Sequence, residues 1–447
     1  MIDPHLATEV ISQAMVAGAT GAECTLAEGE EFSATVRMRS LETLKDAGSR
    51  GAGLRVLIGQ HTGSAYTSDL SSEGIRKMVS QAMELAAITS EDTFAGLPDE
   101  DQLGSLSGDL ELFQSDVSAL DTDFRIQQAL DAEEASLAAD PRIVNSEGGS
   151  FGAYSGQRIF ANSHGFVGAY RTSSCSLSTM PVARQGESME RDYWYSSARA
   201  FSKLEKAGDI GRKAAQRTLR RLGSRKVATQ KVPVVFDSQT SRSLLGSVFE
   251  AIDGDSVYRN ASFLAGKLGE KIAADHVTIV DDGTLPGLFG TSPFDDEGVP
   301  SRRTVVIERG VLRSYLLNSY TARKLGLKTT GNAARGLTGN ASVGHGNFYL
   351  EKGDRTPEEI IRGVRTGLYV TELIGSGVNI VTGDYSRGAA GLWIENGEFA
   401  YPVSEITVAS TLQQMLTEIE YIGSDLEFRS STAAPTVLIR EMTVSGS

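Results

Sequence analysis

Strand-like segments in this chain come in pairs joined by short turns, and that pairing restricts the folds open to it more than any other feature. Residues 31–45 and 52–66 are rich in alternating Val, Thr and Leu and flank the glycine-rich Ala47-Gly48-Ser49-Arg50-Gly51, which predicts a hairpin. Val305 to Leu312 and Gly391 to Phe399 share an apolar-Glu-x-Gly pattern, and Asn396-Gly397 suits a type I′ turn, whose two central residues need positive φ. Strands that succeed one another through tight turns are antiparallel, so helices must pack on a face or at an end of the sheet. The predicted class is therefore α+β. An N-terminal domain, residues 1–226, is expected to pack helices on antiparallel sheet. A C-terminal domain, residues 227–447, is expected to be rich in antiparallel hairpins and barrel-like. The polar stretch Arg225 to Lys231, ahead of the apolar Val232 to Phe236, sets the boundary.

Helices announce themselves by spacing and by caps. Ser71 or Ser72 opens residues 70–90, where Ile75, Met78, Val79, Ala82, Met83 and Ala86 recur at helical intervals. A second helix is predicted over 122–139, ended at Asp140-Pro141 because the residue before proline avoids the helical region. A basic helix is expected near 208–222. Thr356-Pro357-Glu358-Glu359 has the signature of a capping box with proline in the first turn. The acidic stretch Thr89 to Ser118 reads as a surface excursion. Residues 143–200 read as a meander with turns at Gly148-Gly149, Ser163-His164-Gly165 and Gln185-Gly186.

Composition narrows the function. The 447 residues are 40% hydrophobic and 22% charged, as in a globular chain with well-filled cores. A net charge of -14 argues against nucleic acid as ligand, since that binding needs clustered Lys and Arg to displace counterions. The one basic cluster, Arg217 to Arg221 with Arg225 and Lys226, follows helix-like sequence and reads as cations complementing a helix C-terminus. Met1-Ile2-Asp3-Pro4-His5 lacks the basic and apolar regions of a signal peptide, and no apolar run approaches the roughly 20 residues of a membrane span. Cys24 and Cys175 are the only cysteines, which leaves no disulfide framework and fits a reducing cytoplasm.

The chemistry-bearing residues are dispersed. His5, His61, His164, His276 and His345 include no pair at metal-ligand spacing, and His164 sits in a turn-like Ser163-His164-Gly165. Two acidic groups, Asp253 with Asp255 and Asp295-Asp296-Glu297, either attract a cation or share acid and base work, or else cap turns through their own backbone. Ser247 has no adjacent base and no nucleophile elbow. Asp384-Tyr385-Ser386-Arg387, flanked by Gly383 and Gly388, has two readings: polar tips for a peptide or a partner's loop, or a hydrogen-bonded turn between core strands. Gly331 to Gly346 lacks a phosphate-loop ending and reads as a flexible loop.

Longer motifs carry a family resemblance. Asn145-Ser146-Glu147-Gly148-Gly149-Ser150, Met189 to Tyr193, Ser292 to Val299, Ala322 to Lys328 and Thr382 to Gly391 resemble the PmbA/TldE branch of the TldD/PmbA family, also described as modulators of DNA gyrase. Asp295-Asp296-Glu297-Gly298 and Thr330-Gly331-Asn332 resemble the catalytic TldD branch as well. In that branch the segment aligned with Leu244 to Ala251 reads Leu-Leu-His-Glu-x-x-x-His and binds zinc. Here Gly246 and Ala251 stand at the two His positions and Ser247 at the Glu position, and no cysteine follows Cys175 to supply that branch's late ligand. The resemblance implies a chain with no metal of its own. It would pair with a zinc-bearing TldD-like subunit in a bacterial cytosolic metalloprotease of unfolded or small peptides, including leader segments and antitoxins, and would form a homodimer when alone. The alternatives are a self-sufficient hydrolase built on the two acidic groups, and a non-enzymatic peptide-binding module.

Overall fold

The computed structural model describes residues 1–446. Helix α1 (His5–Val16) leads into strands β1 (Gly21–Arg37), β2 (Ser40–Ile58) and β3 (His61–Thr67), then α2 (Ser72–Ile88), the short α3 (Ser115–Ser118) and α4 (Thr122–Leu137). Strands β4 (Ile143–Asn162), β5 (Val167–Gln185), β6 (Ser188–Arg191) and β7 (Trp194–Ala198) follow, and α5 (Ala207–Leu219) closes this half. The strands form one antiparallel sheet in the order β3-β2-β1-β4-β5-β6, with β7 also on β5. Its apolar face is covered by α1 and α2 at one end and by α4 and α5 at the other.

The hairpins are real but longer than expected, and one turn lies elsewhere. Residues 47–51 do not turn: β2 runs unbroken through them, and the chain reverses at Met38-Arg39, both at positive φ. That turn is held by Glu133 of α4, whose two carboxylate oxygens accept from the Met38 and Arg39 amides at 2.9 and 2.8 Å. Gly51 and the nearby Gly53 serve a different need, since a Cβ on either would collide with Leu337, whereas one on Gly48 meets nothing within 4 Å. Gly148-Gly149 is likewise no turn but an irregularity inside β4, with Gly148 at φ 121. The stretch Thr89 to Ser118 does more than skirt the surface, since Leu97 and Leu112 are buried and Arg323 donates to the carbonyls of Phe94 and Leu97. Caps fall where the sequence puts them: Ser71 Oγ accepts from Gly74 N, and Thr356 exchanges hydrogen bonds with Glu359.

The second half begins with β8 (Gln230–Phe236), α6 (Ser238–Ile252) and α7 (Gly254–Tyr258). Then come β9 (Ile279–Asp282), β10 (Arg303–Glu308), β11 (Val311–Leu312), α8 (Ser319–Leu325), β12 (Ala333–Ala334), β13 (Ser342–Val343) and β14 (Asn347–Leu350). The chain ends with α9 (Pro357–Arg362), β15 (Thr366–Ile374), β16 (Asp384–Glu395), β17 (Glu398–Thr411), α10 (Leu412–Thr417), β18 (Ile419–Ile422), β19 (Thr432–Ala433) and β20 (Val437–Ser445). The series β17-β16-β15-β8-β20 closes on itself because β17 also pairs with β20, which makes a barrel. The β10–β11 and β16–β17 turns, Arg309-Gly310 and Asn396-Gly397, both have positive φ at their two central residues, as type I′ requires. Strands β11-β10-β9-β14-β19 form a second, mainly antiparallel sheet. The class is α+β, and no helix among the described residues is long and apolar enough to cross a membrane.

Candidate functional site

Helix α6 is the natural place to start. Asp237 caps it, its carboxylate accepting from Thr240 N at 2.7 Å. One face, including Leu244, Leu245, Val248 and Ala251, is buried in the barrel's core cluster. Gln239, Ser243 and Gly246 fall on another face by the helical repeat, and Gln239 and Ser243 line a cavity. A Cβ built on Gly246 meets nothing within 4 Å. Ser247 Oγ donates to the Ser243 carbonyl at 3.2 Å, and Ala251 is fully buried. These three positions do not fit zinc, because hydrogen and methyl groups carry no lone pair and the lone hydroxyl is engaged by the helix. Among the described residues no group of three or more His, Cys, Asp or Glu is placed to hold a metal ion.

The Asp384 to Arg387 segment is neither a loop nor a tight turn. It starts β16, with Tyr385 opposite Ser410 and Arg387 opposite Val408 on β17. Period-2 alternation sends Tyr385 and Arg387 inward while Asp384 and Ser386 face solvent. Asp384 accepts from Thr382 Oγ1 at 2.6 Å. Tyr385 is buried beside Ser243 and Arg387, its hydroxyl lacks a well-formed hydrogen bond, and burial pushes its pKa up to about 12. Arg387 faces a cavity of about 440 Å³ between the two halves. The first half contributes Tyr193, Trp194, Tyr195, Arg217 and Arg221 to this cavity, and α6 contributes Gln239, Thr240 and Ser243. None of these was legible beforehand, since more than 100 residues separate Arg387 from each of them.

The basic cluster at the end of α5 does more than complement a helix end. Arg217 is buried against Asp192 at 3.3 Å and Asp237 at 3.6 Å, and Arg221 reaches Glu190 at 3.3 Å and Glu372 at 2.5 Å. Because Asp237 and Glu372 belong to the second half, these arginines tie the halves together. The stretch 331–346 is docked rather than loose: Arg335 pairs with buried Glu23 of β1 at 2.8 Å, and Arg55 pairs with the same carboxylate at 2.7 Å. Burial pushes the Glu23 pKa up, but Arg335 and Arg55 outweigh it and hold the carboxyl below its ordinary range.

The acidic groups end up in different roles. Asp253 caps α7 by accepting from Asp255 N, and Asp255 pairs with Arg259. Asp295 accepts from the amides of Glu297, Val299 and Ala333, Asp296 pairs with Arg158 at 2.8 Å, and Glu297 accepts from Ser319 N. Burial, and then the charge of Glu297, push the Asp295 pKa up. Among the described residues, the hydrogen bonds and ion pairs of Asp253 and Asp255 stay within their own segment and none reaches this second group. Asp295 and Asp296 line a separate cavity of about 350 Å³ together with Asp281, Arg199 and His345. Burial raises the Asp281 pKa to about 6 and lowers that of His345, which packs edge-on against Phe249 of α6.

Comparison with known proteins places this architecture. The chain matches the models of PmbA/TldA metallopeptidase domain 1 over residues 22–86, central domain over 115–222 and C-terminal domain over 229–446. It is 41% identical to metalloprotease PmbA of Escherichia coli O157:H7, covering 95% of this chain and 92% of that protein. It is 37% identical to a PmbA homolog of Haemophilus influenzae, covering 98% and 94%. A Bacteroides thetaiotaomicron protein described as a modulator of DNA gyrase superposes with a TM-score of 0.92 at 30% identity, covering 99% of this chain and 98% of that one. TldE of Thermococcus kodakarensis superposes at 0.89 over 99% of this chain and 100% of that one, and at 21% identity shares the fold.

Proposed function

Given that this chain belongs to the PmbA/TldD metallopeptidase family, we propose that it is a subunit of the PmbA/TldE kind. In this reading it carries no zinc itself and assembles with a zinc-bearing TldD-like chain into a cytosolic protease of unfolded or small peptides. The observation that carries the reading is α6. The helix is intact and its cavity-lining face is open at Gly246, yet positions 246, 247 and 251 hold Gly, Ser and Ala. One metal site per complex suffices to activate water, and the second chain can then shape access and grip an extended substrate. Asp384 to Arg387 and Asp295 to Glu297 are the proposed substrate or partner contacts, of which Arg387 faces the cavity at the junction of the halves. The chain would self-associate when the partner is absent. Two features weigh against independent hydrolysis by the acidic groups: the Asp295 carboxylate already accepts three backbone amides, and Asp253 is spent on a helix cap.

Co-expression with a TldD-like chain, followed by peptidase assays and elemental analysis of each chain alone and of the mixture, tests this reading. Activity is expected only in the mixture, with zinc well below stoichiometry on this chain. Stoichiometric zinc on this chain, or peptidase activity from it alone, would overturn the reading.

A further inference from the structure

The cavity faced by Arg387 has a charge imbalance that its own walls do not resolve. Glu147 is taken by Arg191, Asp192 by Arg217 and Glu372 by Arg221. Arg387 is the one cation on that wall with no carboxylate among the described residues, and its Nε is buried without a hydrogen-bond partner. With Nε buried and the Tyr385 hydroxyl beside it, the two terminal nitrogens of the guanidinium are the donors left to the cavity, and side by side they match a planar carboxylate. The volume of about 440 Å³ falls within the range of small-ligand sites. On the opposite wall Tyr193 and Tyr195 stack at 6.1 Å, and Tyr193 is exposed. Arg242 fixes this wall by donating to Tyr195 Oη at 2.9 Å and to Gln239 Oε1 at 2.8 Å. Among the described residues the cavity therefore offers one unpaired cation, the Gln239 amide nitrogen as a donor and the Ser243 hydroxyl oxygen as an acceptor for a peptide backbone, and an aromatic face for an apolar side chain. A single free cation suits one negative charge better than the two of a phosphate at neutral pH.

We infer that this cavity is a carboxylate pocket that receives the C-terminal end of a peptide, with Arg387 forking the terminal carboxylate. The assignment rests on the subunit reading above only for the peptide nature of the ligand. The site would hold a substrate's tail or a released product by its end group, independent of sequence, and would favour chains with a free terminus.

The test uses the full chain and an N-terminally fluorescein-labelled pentapeptide of alanine and leucine, as the free acid and as the C-terminal amide, read by fluorescence anisotropy. The free acid is expected to bind at least about tenfold more tightly, as a charge-assisted bidentate pair outweighs a neutral contact. Arg387→Gln should abolish that preference, and Arg387→Lys should remove most of it. Should Arg387→Gln fail to fold, Ser243→Phe fills the cavity from α6 and is expected to block both peptides. Equal affinity for acid and amide on the unaltered chain overturns the inference, as does a preference that survives in folded Arg387→Gln. Displacement of the peptide by inorganic phosphate, at concentrations where N-acetyl-leucine does not compete, overturns it too by giving the pocket to phosphate. Assembly with a TldD-like chain, followed by sedimentation in parallel, separates the two claims. Loss of assembly with the acid preference intact removes only the subunit reading, and the converse removes only the pocket.

Discussion

Gly246 and Ala251 sit one turn and a half apart on the same helix yet tolerate change very differently. Gly246 is interior to α6 with free space where a Cβ would be, so Gly246→Ala should raise stability by about 0.5–1 kcal/mol through backbone entropy alone. Ala251 is fully buried, so Ala251→His should cost about 2–4 kcal/mol by overpacking and by burying an unpaired imidazole. Urea unfolding of the two variants checks both signs, and a neutral Ala251→His would show that the core beside α6 is looser than the structure indicates. Rebuilding the family's metal helix is thus opposed by packing as well as by the missing third ligand. Asp281 gives a second residue-scale outcome. Its Oδ2 accepts from Asn332 at 2.7 Å, its Oδ1 is buried without a partner, and burial lifts its pKa from near 4 to about 6. A carboxyl whose folded pKa exceeds its unfolded value costs nothing below pH 4, costs progressively more up to pH 6, and imposes the full penalty above that. Asp281→Asn should therefore gain on the native chain by on the order of 3 kcal/mol between pH 4 and pH 7. A pH-independent difference in unfolding free energy would show that Asp281 stays ionised in the fold.

Elements whose ends are set by their own residues were legible, and those set from a distance were not. Ser71 and Thr356 cap their helices with their own side chains, and Asn396-Gly397 turns because both residues tolerate positive φ, so four to six residues of sequence held the whole answer. The β1–β2 turn is the counterexample. Met38 and Arg39 carry no turn propensity, and they adopt φ of 47 and 65 because Glu133, 95 residues away from Met38, accepts from both amides. The glycines at 48 and 51 pointed to the wrong place because Gly51 is there to let Leu337 approach. Removing the anchor by Glu133→Ala should cost about 2 kcal/mol, the value of hydrogen bonds to a charged acceptor less what water restores at this partly exposed turn. Glu133→Gln should lose less, since its one carbonyl oxygen still accepts. The checks are equilibrium unfolding and hydrogen exchange at the 38 and 39 amides, which should speed up in Glu133→Ala; unchanged exchange would mean the strands alone set the turn.

At the scale of the whole molecule, the junction between the halves combines aromatic contacts, Phe166 and Tyr170 on Phe294, with a network of ion pairs that no local pattern displays. Glu23 with Arg335, Arg158 with Asp296, Glu205 with Arg429, Arg217 with Asp237 and Arg221 with Glu372 each cross the junction, and all but Arg217 with Asp237 are more than 100 residues apart in sequence. Barrel closure was equally hidden, because it depends on the parallel pairing of β8 with β15 and on β17 meeting β20, neither of which a hairpin signal announces. Arg217 is the most telling member of the network. It is about one-tenth exposed, it holds two buried carboxylates from opposite halves, and Trp194 lies 5.5 Å from its guanidinium. Buried pairs contribute little net stability, but removing one partner strands the other in a medium that solvates it poorly. Arg217→Ala leaves both Asp192 and Asp237 short of a cation and should destabilise the chain by about 3–5 kcal/mol. Because the lost contacts lie at the junction, calorimetry of the variant should split one melting transition into two as the halves uncouple. A single transition displaced by less than about 1 kcal/mol, the scale of an exposed pair, would mean that water already reaches the network and that packing, not charge, holds the halves together.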